Sequence, residues 1–194
     1  MADTLERTSP LRPWAEHFAR LSNSVAMVEE PFVTMVDVRV DAAGPGAQAA
    51  AELLGVELPT TASTYANIGD TTVIWLGPDE WLVTGTTLAG PELEARVREA
   101  VSPHGGAAVD VSGQRTTLRL SGSCSRDVLA KGTPLDLHPR TFGEGAAAET
   151  TLGQAGIILL AVDGSGAEYR ILVRSSFARY LADWLLDAAE EYTL

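Results

Sequence analysis

Apolar and polar residues alternate with a period of two in several separate stretches of this chain, and helical spacings fill the intervals between them. Within Phe32–Val40, Val36, Val38 and Val40 alternate with Asp37 and Arg39, the pattern of a strand with one buried face. Gly44-Pro45-Gly46 turns the chain. Ala47, Ala50, Ala51 and Leu54 then recur at i, i+3, i+4 and i+7, and Gly55 follows as a helix stop. Tyr65–Ile68, Thr72–Leu76 and Trp81–Thr84 read as three strands. Gly69-Asp70 separates the first two, and the turn Gly77-Pro-Asp-Glu80 the last two. Pro91 suits the first turn of a helix whose buried stripe is Leu93, Val97, Ala100 and Val101, with Glu92 and Glu94 at its positive end.

The second half repeats this order. Thr116, Leu118 and Leu120 alternate with Thr117, Arg119 and Ser121, and Ser123 is placed to cap a short helix carrying Val128 and Leu129. Strands are expected near Thr150–Leu152, Ile157–Val162 and Tyr169–Arg174, the last two joined by the turn Asp163-Gly-Ser-Gly166. A closing helix, capped by Ser175 or Ser176, has Phe177, Tyr180, Leu181, Trp184, Leu185 and Ala188 on one face. Each half therefore reads strand, helix, three strands, helix. The expected fold class is α+β, with two similar lobes of antiparallel sheet and helices on one face of each. The expected partition is an arm over 1–30, a first lobe over 31–104 and a second over 105–194, with the boundary near Pro103-His-Gly-Gly106. In the arm, Trp14, Phe18, Leu21 and Val25 are spaced for one side of a helix. They bury either on the arm's own lobe or on another chain.

Charge narrows the function. The net charge is -12, with Lys131 the only lysine and no cluster of cations, which excludes a phosphate-tracking nucleic-acid binder. The single cysteine, Cys124, rules out an intrachain disulfide and a cysteine zinc cluster. The longest apolar run, Gly156–Val162, has the length of a buried strand and not of a membrane span. The polar start, Met1-Ala-Asp-Thr-Leu-Glu-Arg7, is unlike a secretory signal, so a cytoplasmic protein is expected.

Catalytic chemistry is sparse. His17, His104 and His138 lack metal-ligand spacing, and two of them adjoin prolines in loops. Cys124 falls in the first turn of a helix, but a nucleophile needs a positioned base and no nearby histidine offers one, so a buried structural thiol is the simpler reading. The glycines form neither a G-x-G-x-x-G nor a phosphate loop, so this chain alone is expected to bind no NAD or flavin. The pairs Glu29-Glu30, Asp79-Glu80 and Glu190-Glu191 point apart as neighbours in extended or helical chain, which reads as solvated charge. Asp183, Asp187, Glu190 and Glu191 crowd the negative end of the last helix, where solvent or a basic surface on another subunit must offset the repulsion.

Two motifs carry a family resemblance: Leu76-Gly-Pro-Asp-Glu-Trp-Leu-Val83 and Asp110-Val-Ser-Gly-Gln-Arg-Thr-Thr-Leu-Arg-Leu-Ser-Gly122. With Asp136-Leu-His-Pro-Arg-Thr-Phe142, Thr151-Leu-Gly-Gln-Ala155 and Tyr169–Phe177 in the same order, the chain resembles the gamma subunit of bacterial heterotetrameric sarcosine oxidase. More distantly it is similar to the folate-binding aminomethyltransferase domain of the glycine cleavage system. The resemblance implies a non-catalytic subunit, partnered by alpha, beta and delta subunits, in an enzyme that converts sarcosine to glycine with one-carbon transfer to tetrahydrofolate. It places FAD, FMN, NAD, zinc and tetrahydrofolate in the partner subunits and none in this chain. A free-standing folate-binding one-carbon transfer protein would share the fold, and a regulatory or assembly protein for another flavoenzyme is the third reading. Trp14, Phe18, His138, Arg140 and Phe142 are the expected subunit-contact residues, because the Pro-stiffened loop and the arm combine aromatic and polar groups.

Overall fold

A computed structural model describes residues 6–193. Met1–Leu5, most of the start read as unlike a secretory signal, and Leu194 lie outside the described residues. A single 3-10 turn, Arg12–Trp14, leads into α1 (Ala15–Phe18), then β1 (Ala26–Glu30), β2 (Thr34–Arg39), α2 (Pro45–Leu54), β3 (Tyr65–Ile68), β4 (Thr71–Gly77) and β5 (Glu80–Gly85). After them come α3 (Gly90–Val101), β6 (Ala107–Asp110), β7 (Arg115–Ser121), α4 (Ser125–Ala130), β8 (Ala147–Leu152), β9 (Ala155–Ala161), β10 (Glu168–Arg174) and α5 (Ala178–Ala189). Pro45 and Pro91 open α2 and α3. Gly55 closes α2 in the left-handed conformation, which a side chain would resist.

The strands form two antiparallel sheets, β3-β4-β5-β2-β6 and β8-β9-β10-β7-β1. Read in that order they correspond strand by strand, so the duplication legible in the sequence is real in the topology. The edges are where the chain departs from a simple partition at residue 104. β6, expected with the second lobe, pairs with β2 in the first sheet. β1, expected as arm, pairs with β7 in the second sheet. Both are short, and backbone hydrogen bonds to a longer central strand define them more than any period of their own side chains.

Three apolar layers follow. Leu118, Leu120, Tyr169 and Ile171 pack under α4, α5 and the arm. Val36, Val38, Trp81 and Val83 pack under α2 and α3. Met35, Ile74, Leu82, Ile158, Leu160 and Leu172 fill the space between the two sheets. The order of layers is thus helix, sheet, sheet, helix. The polar half of each alternating strand faces the opposing sheet and not water alone.

The arm folds onto its own chain. Phe18 and Val25 are buried with the second sheet's core, and the Trp14 indole Nε1 donates to Asp183 Oδ1 at 2.6 Å on α5. Lys131 answers the acidic end of α5 from within the chain: its ammonium pairs with Glu191 and donates to the Ala188 carbonyl at 2.6 Å. Nor are Glu29 and Glu30 plain solvated charge. Glu29 accepts from the Thr116 hydroxyl at 2.7 Å, and Glu30 pairs with Arg170 at 2.9 Å.

The expected serine caps do not form. Cys124 and Phe177 hold the N-cap positions of α4 and α5, without side-chain capping bonds. Ser175 is drawn away: its N–H and hydroxyl donate to the Gln114 and Gly113 carbonyls in the crossover between sheets.

Candidate functional site

The two motifs that carry the family resemblance are structural devices. In the first, Trp81 is fully buried and its Nε1 donates to the Pro59 carbonyl at 2.8 Å, while the hairpin steps out of register between Trp75 and Gly77. In the second, Ser112 Oγ accepts the Met35 N–H at 2.9 Å and donates to Asp110 Oδ1 at 2.5 Å. This ties the start of the crossover to β2. At its far end Gly122 has φ of 123° and a Cβ there would stand 2.4 Å from the Ser24 carbonyl oxygen, so the arm can lie directly against the backbone.

Conventional catalytic groups are scattered. His17, His104 and His138 are exposed and belong to different elements. Cys124 is half-buried, and its polar neighbour is the Ser123 hydroxyl at 3.9 Å. Among the described residues no three His, Cys, Asp or Glu side chains converge as a metal requires, and no helix is long and apolar enough to cross a membrane.

Polar chemistry gathers instead between the sheets. Along β5, Glu80, Leu82 and Thr84 succeed one another on the face turned to the second sheet, with Leu82 in the apolar plug. On one side of the plug lies a cavity of about 400 Å³, lined by Asp70, Thr84, Thr117 and the Glu30–Arg170 pair among others. The Asp70 carboxylate accepts four hydrogen bonds, from the N–H and hydroxyl groups of Thr87 and Thr86 at 2.7–3.1 Å. They hold its pKa far below the usual carboxylate range. Tyr65 bridges the sheets by donating its hydroxyl to the Ala161 carbonyl at 2.9 Å, and its burial raises its pKa.

On the other side of the plug, charged groups from both sheets approach. Burial raises the pKa of Asp37, and the neighbouring Glu80 carboxylate adds to the rise, against the opposing pull of Arg39 and Arg115. Arg39 pairs with Glu80 at 2.5 Å. Burial lowers the pKa of Arg115. Arg174 reinforces that fall, while Glu149 and Asp37 counter it. Sequence reasoning placed Asp37, Arg39 and Arg119 on the polar face of their strands but did not see that this face meets another sheet. The signal was present: Met35, Ile74 and Leu82 are apolar residues on that same face.

The five expected contact residues divide between the core and the surface. Phe18 and Phe142 are each only 6% exposed and sit in the core beneath α5 and the arm. Trp14 is half-buried against Asp183 and lies under the guanidinium of Arg179. His138 and Arg140 are exposed on a loop stiffened by Asp136, which accepts the His138 N–H at 3.0 Å and the Thr141 hydroxyl at 3.1 Å. Those bonds lower the Asp136 pKa. Apolar exposure is found elsewhere, at Val28, Phe32, Ile68, Val109, Phe177 and Tyr180. Between the arm and β1 runs a groove of about 520 Å³ that ends at Phe32, where Arg7 stacks 4.4 Å from the ring centre.

The comparisons with known proteins agree with one another. The model of the sarcosine oxidase, gamma subunit family matches residues 39–191. Relatives named sarcosine oxidase subunit gamma, from Corynebacterium sp. (strain P-1) and Arthrobacter sp., are each 37% identical over 97% of this chain and 94% of their own length. Among solved structures, heterotetrameric sarcosine oxidase from Corynebacterium sp. U-96 in complex with pyrrole 2-carboxylate contains a chain that superimposes with a TM-score of 0.88. That chain is 32% identical, and the match covers 97% of both. Glycine cleavage system aminomethyltransferase T from Bartonella henselae, at 15% identity and a TM-score of 0.61, shares the fold over 89% of this chain and 48% of its own.

Proposed function

The chain belongs to the sarcosine oxidase gamma-subunit family, and on that premise we propose that it serves as the non-catalytic gamma subunit of a heterotetrameric sarcosine oxidase. Its work in this reading is to support assembly with the alpha, beta and delta subunits in the cytoplasm. The assembled enzyme would oxidatively demethylate sarcosine to glycine, with one-carbon transfer to tetrahydrofolate. FAD, FMN, NAD, zinc and tetrahydrofolate would reside in the partner subunits. The observation that carries this is the superposition, over 97% of both chains, on a chain of a heterotetrameric sarcosine oxidase.

Trp14, His138 and Arg140 then belong to the contact surface, with Phe18 and Phe142 supporting it from beneath. Native mass spectrometry after mild extraction tests the assignment. The expected result is one copy of this chain at fixed stoichiometry with flavin-bearing companions, and a colourless isolated chain that leaves sarcosine unchanged. Sarcosine turnover by the isolated chain would contradict it.

A further inference from the structure

Strands β7 and β10 set Arg115 and Arg174 directly opposite each other, so both side chains leave the same face of the sheet. Like charges in that relation repel. The next arginine pair on that face, Arg119 and Arg170, is neutralised, by Glu168 at 2.6 Å and Glu30 at 2.9 Å respectively. Among the described residues Arg115 and Arg174 have no carboxylate at ion-pairing distance. A chain with 26 acids and 14 lysines and arginines has thus set two arginines opposite each other with no ion-paired carboxylate, and only the more distant Glu149 and Asp37 act on Arg115.

Both line an open cleft of about 380 Å³, together with Glu149, Gly156 and Phe177. Gly156 leaves the space beside Arg174 empty, since even a Cβ there would meet nothing within 4 Å. Phe177 is also the N-cap of α5, a twelve-residue helix with no acid in its first turn and no side-chain cap, so its positive end adds to the local potential. Phe177 and Tyr180 are 42% and 38% exposed and stand edge to face, with ring centres 6.4 Å apart.

We propose that this cleft seats a carboxylate carried by a partner subunit, an Asp or Glu side chain or a chain end, held between Arg115 and Arg174 with Phe177 and Tyr180 as its apolar rim. The proposal rests on the assembly role proposed above and adds to Trp14, His138 and Arg140 a further contact site that would serve it. Glu149 on the cleft wall and the overall charge of -12 disfavour a multiply charged anion such as phosphate, and leave room for a single negative charge. Paired arginines beside exposed aromatics are the composition of interface anchors, which points to a polypeptide over a free metabolite. The acidic surface of this chain would repel that carboxylate elsewhere, so one such contact also fixes register.

The test uses the whole complex, purified through a tag on a flavin-bearing partner, with wild-type chain, R115Q/R174Q, or the single exposed reversal Arg174→Glu. Retention of the chain is followed by native mass spectrometry as NaCl is raised. Both variants should dissociate at least about tenfold more readily, with a shallower salt dependence for R115Q/R174Q. The isolated R115Q/R174Q chain should melt at or above wild type, because a repulsive pair has gone. Unchanged retention of both variants, or a lower melting temperature for isolated R115Q/R174Q, overturns the proposal and leaves the assembly role standing. A wild-type chain absent from the complex overturns both. If glutarate stabilises the isolated wild-type chain but not R115Q/R174Q, and all versions assemble alike, the cleft serves a free carboxylate and the partner assignment fails.

Discussion

Leu82→Ala tests whether the two sheets share one interior. Leu82 is fully buried and packs with Met35 and Ile74 of its own sheet and with Ile158, Leu160 and Leu172 of the other. Losing three carbons from water-free surroundings costs about 2.4 kcal/mol at ~0.8 kcal/mol per methylene. A site walled by two hydrogen-bonded sheets collapses little around the void, so the cavity left behind brings the total to about 3–4 kcal/mol. For a chain of this size that lowers Tm by roughly 6–16 °C. The control is Leu53→Ala on α2, where the side chain is 41% exposed and the loss should stay under about 1 kcal/mol. Urea unfolding followed by far-UV circular dichroism reports the whole chain. Fluorescence in a Trp14→Phe, Trp184→Phe background reports the first sheet through Trp75 and Trp81. Both probes should shift together, since the plug joins both sheets. A loss under about 1 kcal/mol, or a shift in one probe alone, would refute face-to-face packing.

Two further perturbations read the site's geometry. Gly122→Ala forces a side chain into a φ of 123° and against the Ser24 carbonyl, both backbone constraints, so it should cost at least about 2 kcal/mol. Hydrogen exchange of β1 amides should quicken in this variant, and an unchanged Tm would show that the arm does not lie on β7. Asp37 has a folded pKa above its ordinary value of 3.8, so the fold favours its protonated form. Its contribution is fully present below the unfolded pKa and is lost as pH rises through the raised folded value. Asp37→Asn stays neutral throughout, so its Tm advantage over wild type should widen from about pH 4 toward neutrality. A difference that stays constant over that range would place Asp37 in open solvent.

Much of the local structure was legible because it is local. The bounds Tyr65–Ile68 for β3, the Gly55 stop and the Pro91 start all follow from turn chemistry and periodicity within a few residues. The repeated order of elements was readable for the same reason. Read alone, the chain could not reveal what meets each face. Alternation at Val36–Val40 marked a buried side correctly, yet Asp37 and Arg39 face a second sheet, which only sheet-on-sheet packing decides. Edge strands β1 and β6 owe their existence to hydrogen bonds with β7 and β2, partners roughly 70–95 residues away. The acids of α5 looked unanswered until the fold carried Trp14 to Asp183, 169 residues distant, and Lys131 to Glu191. Periodicity records which side of an element avoids water. The identity of the neighbour on either side is a property of the assembled layers, because contacts between residues far apart in sequence leave no local pattern.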